Sequence, residues 1–153
     1  MMTNPPKQRG TAAETAVVRA ATAHGIPARR VALAGNKDQG DVHLWDGRVV
    51  IEVKSRRGHP SWTEIDGWWH ETEAECGRVG NCDIGVLVVK RPGTGVARAG
   101  DWFAWILMSD LAWWMVQADD VKVASTVAWM TPQQRVMMPL GDLLALLKAG
   151  SRA

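Results

Sequence analysis

Gly40-Asp41-Val42-His43-Leu44-Trp45-Asp46-Gly47-Arg48-Val49-Val50-Ile51-Glu52-Val53-Lys54 decides how this chain is read. Asp46-Gly47 suits a two-residue type I′ turn, whose central positions both need a positive φ, and runs of strand formers flank it. Such a turn fixes the register of a hairpin. Trp45 then faces Arg48, Leu44 faces Val49, His43 faces Val50, Val42 faces Ile51 and Asp41 faces Glu52. Because side chains alternate between faces along a strand, Asp41, Glu52 and Lys54 share one face. Val42, Val49, Ile51 and Val53 fall on the other and supply an apolar face for a core.

Like charges directly opposed across two strands are destabilising. A divalent cation between the carboxylates removes that repulsion, and hard cations such as Mg²⁺ take one or two carboxylates together with water and substrate phosphate. Lys54 would then stand beside a phosphate or its attacking water, a set suited to phosphodiester hydrolysis. The residues alone also allow a plainer reading, in which Asp41 merely starts a strand and Glu52-Lys54 is an exposed polar stripe.

Outward from the hairpin, residues 1–10 read as a flexible basic arm and 11–153 as one domain. Thr11 to His24 is Ala-rich and predicts a helix, with Thr11 and Glu14 at capping-box spacing and Gly25 and Pro27 ending it. Ala28 to Leu33 reads as a strand and Ala34 to Gly40 as a loop. After the hairpin, Ser61 and Glu64 repeat the capping-box spacing and open a helix reaching about Cys76. Ile84 to Lys90 is an apolar run short enough for a buried strand. Arg91 to Gly100 reads as a loop, Trp102 to Met108 as a strand, and Ser109 as the cap of a helix to about Gln117. Val121 to Trp129 and Arg135 to Leu140 read as strands, and Gly141 to Lys148 as a helix. Residues 11–90 thus form the part carrying the motif; residues 91–153 add C-terminal strands and helices.

The bulk numbers permit this and exclude little else. The chain has 153 residues, 46% hydrophobic and 22% charged, enough for one globular core. No apolar run suggests a membrane span, and Met1 to Gly10 has no apolar signal core. A cytoplasmic protein of a bacterial or phage-infected cell is expected. Cys76 and Cys82 are expected as reduced thiols, and with His70 they match no zinc spacing. Net charge is +2, yet residues 1–57 hold ten Lys and Arg against five Asp and Glu. That asymmetry suits a nucleic-acid-facing edge or, equally, a solvated basic surface. Nine tryptophans, with one Phe and no Tyr, carry the aromatic packing; most are expected in the core or a subunit interface, and some could stack on exposed bases.

Gly40-Asp41, ten intervening residues and Ile51-Glu52-Val53-Lys54 resemble the PD-(D/E)xK nuclease motif. The wider pattern resembles archaeal-type Holliday junction resolvases over residues 7–57: Lys7-Gln8-Arg9-Gly10, Glu14 on a helix, Ala28-Arg29-Arg30-Val31, the Ala34-Gly35-Asn36-Lys37 loop, and the hairpin. Gly40 stands at the motif proline, Thr15 where the resolvases often have Arg, and the loop has no Ser, leaving Asn36 or Lys37 to meet phosphate. The resemblance implies an α/β fold with a restriction-endonuclease-like αβββαβ core and a mixed central sheet. It implies Mg²⁺, with Mn²⁺ able to substitute, held by Asp41 and Glu52 with the Val53 carbonyl. Glu14 would act through water or a second metal, although its capping position also explains it, and Lys54 would orient or activate the water. Lys7, Arg9, Arg29, Arg30, Lys37, Arg56 and Arg57 would contact phosphates. The expected substrate is a four-way junction, whose symmetry suits a homodimer joined through the Trp-rich C-terminal half. A repair or restriction-type enzyme on flap, mismatched or duplex DNA, and a non-catalytic DNA-binding subunit, are the alternatives.

Overall fold

A computed structural model describes residues 5–32, 38–116 and 134–151 of the chain. The strand expected at Val121–Trp129, the far end of the helix expected to reach Gln117, and Asn36 and Lys37 lie outside the described residues. The elements run α1 (Pro5–Ala23), β1 (Ala28–Arg30), β2 (Val42–Leu44), β3 (Val49–Lys54), α2 (Trp62–Arg78), β4 (Ile84–Val89), β5 (Phe103–Leu107), α3 (Met108–Val116), β6 (Arg135–Pro139) and α4 (Leu140–Gly150). The fold is α/β. A six-stranded mixed sheet in the order β1-β2-β3-β4-β5-β6 has helices on its faces. Only β3 and β4 pair in parallel among these strands, and α2 supplies the long crossover such a pair requires.

The hairpin register is the one the turn dictates: Val42 faces Ile51, His43 faces Val50 and Leu44 faces Val49. The turn itself is larger than two residues. Trp45, Asp46 and Gly47 all have positive φ, at 46°, 56° and 95°. Arg48 N–H donates to the Trp45 carbonyl at 3.3 Å, but Trp45 N–H donates to Pro27 at 3.0 Å instead of closing the pair with Arg48. The anchor on Pro27 ties the turn to the start of β1.

The two sheet faces are covered separately. Val42, Val49, Ile51, Val53, Ile84, Val86, Val88, Ala104 and Ile106 point to one side, against Ala13, Ala16, Val17 and Ala21 of α1 and the leucines of α4. The small α1 residues recur at helical spacing and let that helix lie close to the strands. Leu87 and Val89 point to the other side, under Ile65 and Trp69 of α2. Helix α2 starts as expected: the Ser61 side chain accepts from Glu64 N–H, and the Glu64 side chain accepts from Ser61 N–H.

Five expectations need correction. Within residues 1–10, expected as a flexible basic arm, the chain is helical from Pro5, because a proline fits the first turn, where its missing N–H is not needed. Thr11 and Glu14 therefore lie inside α1 and form no cap; the Thr11 carbonyl accepts the Thr15 hydroxyl at 2.8 Å. Ser109 likewise sits within α3, which begins at Met108. Cys76 and Cys82 form a disulfide, their Cα atoms 5.4 Å apart. A tight turn joins the end of α2 to β4, with Val79 N–H on the Cys76 carbonyl and Cys82 N–H on the Val79 carbonyl, and it brings the two side chains together. Part of the expected 91–100 loop is a 3₁₀ segment, Val96–Asp101. Among the described residues, no helix is long and apolar enough to cross a membrane.

Candidate active site

β3 reads Val-Val-Ile-Glu-Val-Lys, and its alternation sends Glu52 and Lys54 to the α2 side of the sheet. Asp41 joins them by a different route. The strand expected to start at Asp41 starts at Val42. Asp41 N–H donates to the Ile51 carbonyl at 3.0 Å, although Ile51 already faces Val42. Two residues here oppose one, as in a β-bulge, which re-aims a side chain. The Asp41 carboxylate turns along β3 and accepts Val53 N–H at 2.8 Å, past the end of β2. It remains against Glu52, whose charge it feels.

The approach to Asp41 is pinned. Gly40 N–H donates to the Asp38 side chain at 3.1 Å, an Arg78 N–H from α2 reaches the Asp38 carbonyl at 3.0 Å, and the His43 ring contacts the Gln39 carbonyl at 2.7 Å. Gly40 has φ of +83°, and a Cβ there would lie 2.5 Å from Val50 Cγ1. Only glycine fits this corner.

Lys54 Nζ lies 2.7 Å from Glu52 Oε1 and 2.7 Å from Glu71 Oε2. Glu52 is 5% exposed, and Glu75 of α2, 3% exposed, lies against it. Each leaves one buried oxygen, Oε2, without a hydrogen-bond partner among the described residues. Two ionised carboxylates have no hydrogen to share; a single proton, or a cation, would satisfy both.

The electrostatics follow from burial. Desolvation, then the Glu52 charge, pushes Asp41 up to about 8 against the opposing pull of the Val53 amide. Glu52 rises to about 7, through desolvation and its contact with Glu75, while Lys54 holds it down. Glu75 also rises to about 7, through desolvation and the charges of Asp38 and Asp41, against its contact with Glu52 and the charge of Lys54. For Lys54, desolvation disfavours the ammonium, but bonds to Glu52 and Glu71 outweigh it and keep the group charged above its ordinary range.

Glu14 projects from α1 close enough to Asp41 for its charge to count. Its own carboxylate is bound by Arg30, at 2.8 Å and 2.9 Å. Arg30 is thus a partner of Glu14 rather than an uncommitted cation. Lys7 and Arg9 are exposed on the first turns of α1, Arg29 is exposed on β1, and Arg56 and Arg57 are exposed in the loop after β3.

Glu71 and Glu75 were missed by sequence reasoning. Their signal lies in the phase of α2: Ile65, Trp69, Thr72 and Glu75 make the buried stripe, so a carboxylate faces the sheet where an apolar residue belongs. Among the described residues, no group of three or more His, Cys, Asp or Glu side chains is placed to hold a metal ion. What the structure offers is a carboxylate pair, Asp41 and Glu52, with an ammonium beside it and an acidic helix above. No protein-family model, curated protein or solved structure matches the chain.

Proposed function

We propose that this protein is a Mg²⁺-dependent endonuclease of branched DNA, a Holliday junction resolvase, built on a restriction-endonuclease-like core of the PD-(D/E)xK type. One observation carries the reading: Asp41, Glu52 and Lys54 meet at one end of β3, with a buried Glu52 oxygen left unpartnered. The succession of helix, three strands, helix and strand from Pro5 to Val89 agrees with it.

The donor set fits a hard cation. Mg²⁺ keeps several waters and needs only one or two protein carboxylates, so the lack of a three-residue group is no obstacle. Asp41 and Glu52 would hold the ion, with the Val53 carbonyl as the backbone donor. When bound, Mg²⁺ or Mn²⁺ polarises a phosphodiester and makes its bound water more acidic. Val53 N–H fixes the direction of the Asp41 carboxylate. Lys54, held as an ammonium, orients water or meets a phosphate oxygen; it does not accept a proton. Glu14, held by Arg30 through Oε2, would act through water or a second metal. Lys7, Arg9, Arg29, Arg56 and Arg57 supply phosphate contacts that position DNA without reading sequence. A two-fold dimer would place one site on each of two strands of a junction.

The test is cleavage of a labelled four-way junction, a flap and a linear duplex, each with Mg²⁺ or EDTA. Paired, symmetrical nicks in the junction only with Mg²⁺ are expected, and Asp41→Asn should abolish them while binding persists. Unchanged cutting by that variant would remove the site from the chemistry.

A further inference from the structure

A cleft of about 350 Å³ opens beyond the C-terminal ends of β3 and β4, lined by Arg56, Arg57, Lys90 and Arg91 and by the turn that follows them. It begins next to the proposed catalytic lysine, since Lys90 N–H donates to the Lys54 carbonyl at 2.9 Å. Among the described residues, no carboxylate lines it. Arg56 is paired with Glu64 on its rim, while Arg57, Lys90 and Arg91 have no acidic partner among the described residues. The Lys90 ammonium lies over the Trp102 ring, 5.9 Å from its centroid, so Arg57 and Arg91 are the cations left to meet an anion at this cleft.

The wall is held in place. Arg91-Pro92-Gly93-Thr94 is a tight turn, with Thr94 N–H on the Arg91 carbonyl at 3.2 Å and Gly93 at φ of +72°. The Thr94 carbonyl accepts the buried Trp102 indole N–H at 3.3 Å. The Arg91 guanidinium lies over the Phe103 ring, 5.8 Å from its centroid.

Phe103 and Trp105 are two residues apart on β5 and pack on the same side of the sheet. Trp62, the first residue of α2, stands edge-on against Trp105, with ring centroids 5.8 Å apart. Trp62 is 71% exposed, the largest exposure among the large hydrophobic residues described. An indole this open has no core role. It stands over the neighbour of the ring that supports Arg91, at the end of the loop that carries Arg56 and Arg57.

We infer that this cleft and Trp62 form a subsite for an unpaired DNA nucleotide, its phosphate taken by Arg57 and Arg91 and its base stacked on the Trp62 indole. Cations that follow a backbone, with an aromatic face beside them, are the means by which single strands are bound without sequence preference. The inference deepens the nuclease reading, and rests on it for the choice of DNA: the subsite would hold the strand that leaves the duplex at a branch, one step from Lys54.

Binding in EDTA tests it apart from cleavage. A labelled single-stranded oligonucleotide, a flap and a blunt duplex are titrated by anisotropy with wild type, Trp62→Ala, Trp62→Phe and Arg91→Ala. Trp62→Ala should weaken single-strand and flap binding roughly ten- to a hundred-fold and duplex binding less than about two-fold, and Trp62→Phe should restore most of it. Arg91→Ala should weaken the same ligands and lower the salt dependence by about one charge. Single-strand binding unchanged in Trp62→Ala, or an equal loss on duplex, overturns the inference. A wild type that cuts nothing with Mg²⁺ yet binds unpaired strands through Trp62 sinks the nuclease reading alone. Junction cutting with no Trp62 dependence of binding sinks this subsite alone.

Discussion

The two faces of β3 are buried alike and built from opposite materials. Toward α1 and α4 it presents Val49, Ile51 and Val53, within an apolar cluster. Toward α2 it presents Val50 and then Glu52 and Lys54, with Glu71 and Glu75 above the charged pair. A buried apolar residue contributes about 1.5–3 kcal/mol, whereas a buried carboxylate costs free energy unless it is paired. One side of the strand is therefore organised for stability. The other holds three carboxyl groups far above their ordinary range, an arrangement that a fold alone does not require.

The contrast can be broken from either side. The largest effect is expected at the charged face: Glu52→Gln should lower Mg²⁺-dependent cleavage about a hundred- to a thousand-fold, and should raise the melting temperature of the metal-free protein, read by calorimetry. Ile51→Ala, one residue away on the opposite face, should do the reverse. It should cost about 2–5 kcal/mol in urea unfolding, and cleavage per folded molecule should survive. Equal behaviour of the two variants would erase the distinction.

The pH dependence of stability sharpens the same contrast. Asp41, Glu52 and Glu75 hold protons in the folded state up to about 8, 7 and 7, against ordinary values of 3.8 and 4.5. Between those limits the native protein binds more protons than the unfolded chain. Stability is therefore fullest below about pH 4 for these groups and is lost as pH rises through 7 to 8. In EDTA the melting temperature should fall by several degrees between pH 5 and pH 8.5, at about 2–4 °C per kcal/mol. Mn²⁺ should restore it, more at pH 8 than at pH 6. A melting temperature that rises over this range in EDTA would contradict the shifts. The smallest effect is expected at Glu75→Gln, which should leave the fold intact and weaken Mn²⁺ binding about ten-fold, by calorimetric titration, as loss of a group supporting a ligand does.

Much of this was legible because it is local. Asp46-Gly47 set the register of Val42 to Leu44 against Val49 to Ile51, and Ser61 with Glu64 set the start of α2. What failed depended on packing or on competing local signals. Thr11 and Glu14 have the spacing of a cap, yet the helix runs through them from Pro5, and Arg30, sixteen residues on, takes the Glu14 side chain. The spacing of Cys76 and Cys82 does not reveal the turn that joins them. Glu71, Glu73 and Glu75 look alike in sequence; only the rotation of α2 over the sheet buries Glu75 against Glu52 and brings the exposed Glu71, but not Glu73, to Lys54. The direct opposition of Asp41 and Glu52 was read one residue too far along a regular ladder, where the bulge intervenes.

Gly40 shows how one backbone angle limits what can be exchanged between sequences that look alike. The PD-(D/E)xK motif that this stretch resembles has proline at this position, and a designer aligning the two would be tempted to write it in. Proline holds φ near −65°, whereas the chain here turns through +83° to deliver Asp41. Gly40→Pro would rotate the aspartate away from Val53 and also remove the amide that Asp38 accepts. Matching the letters of the motif would dismantle the geometry they stand for.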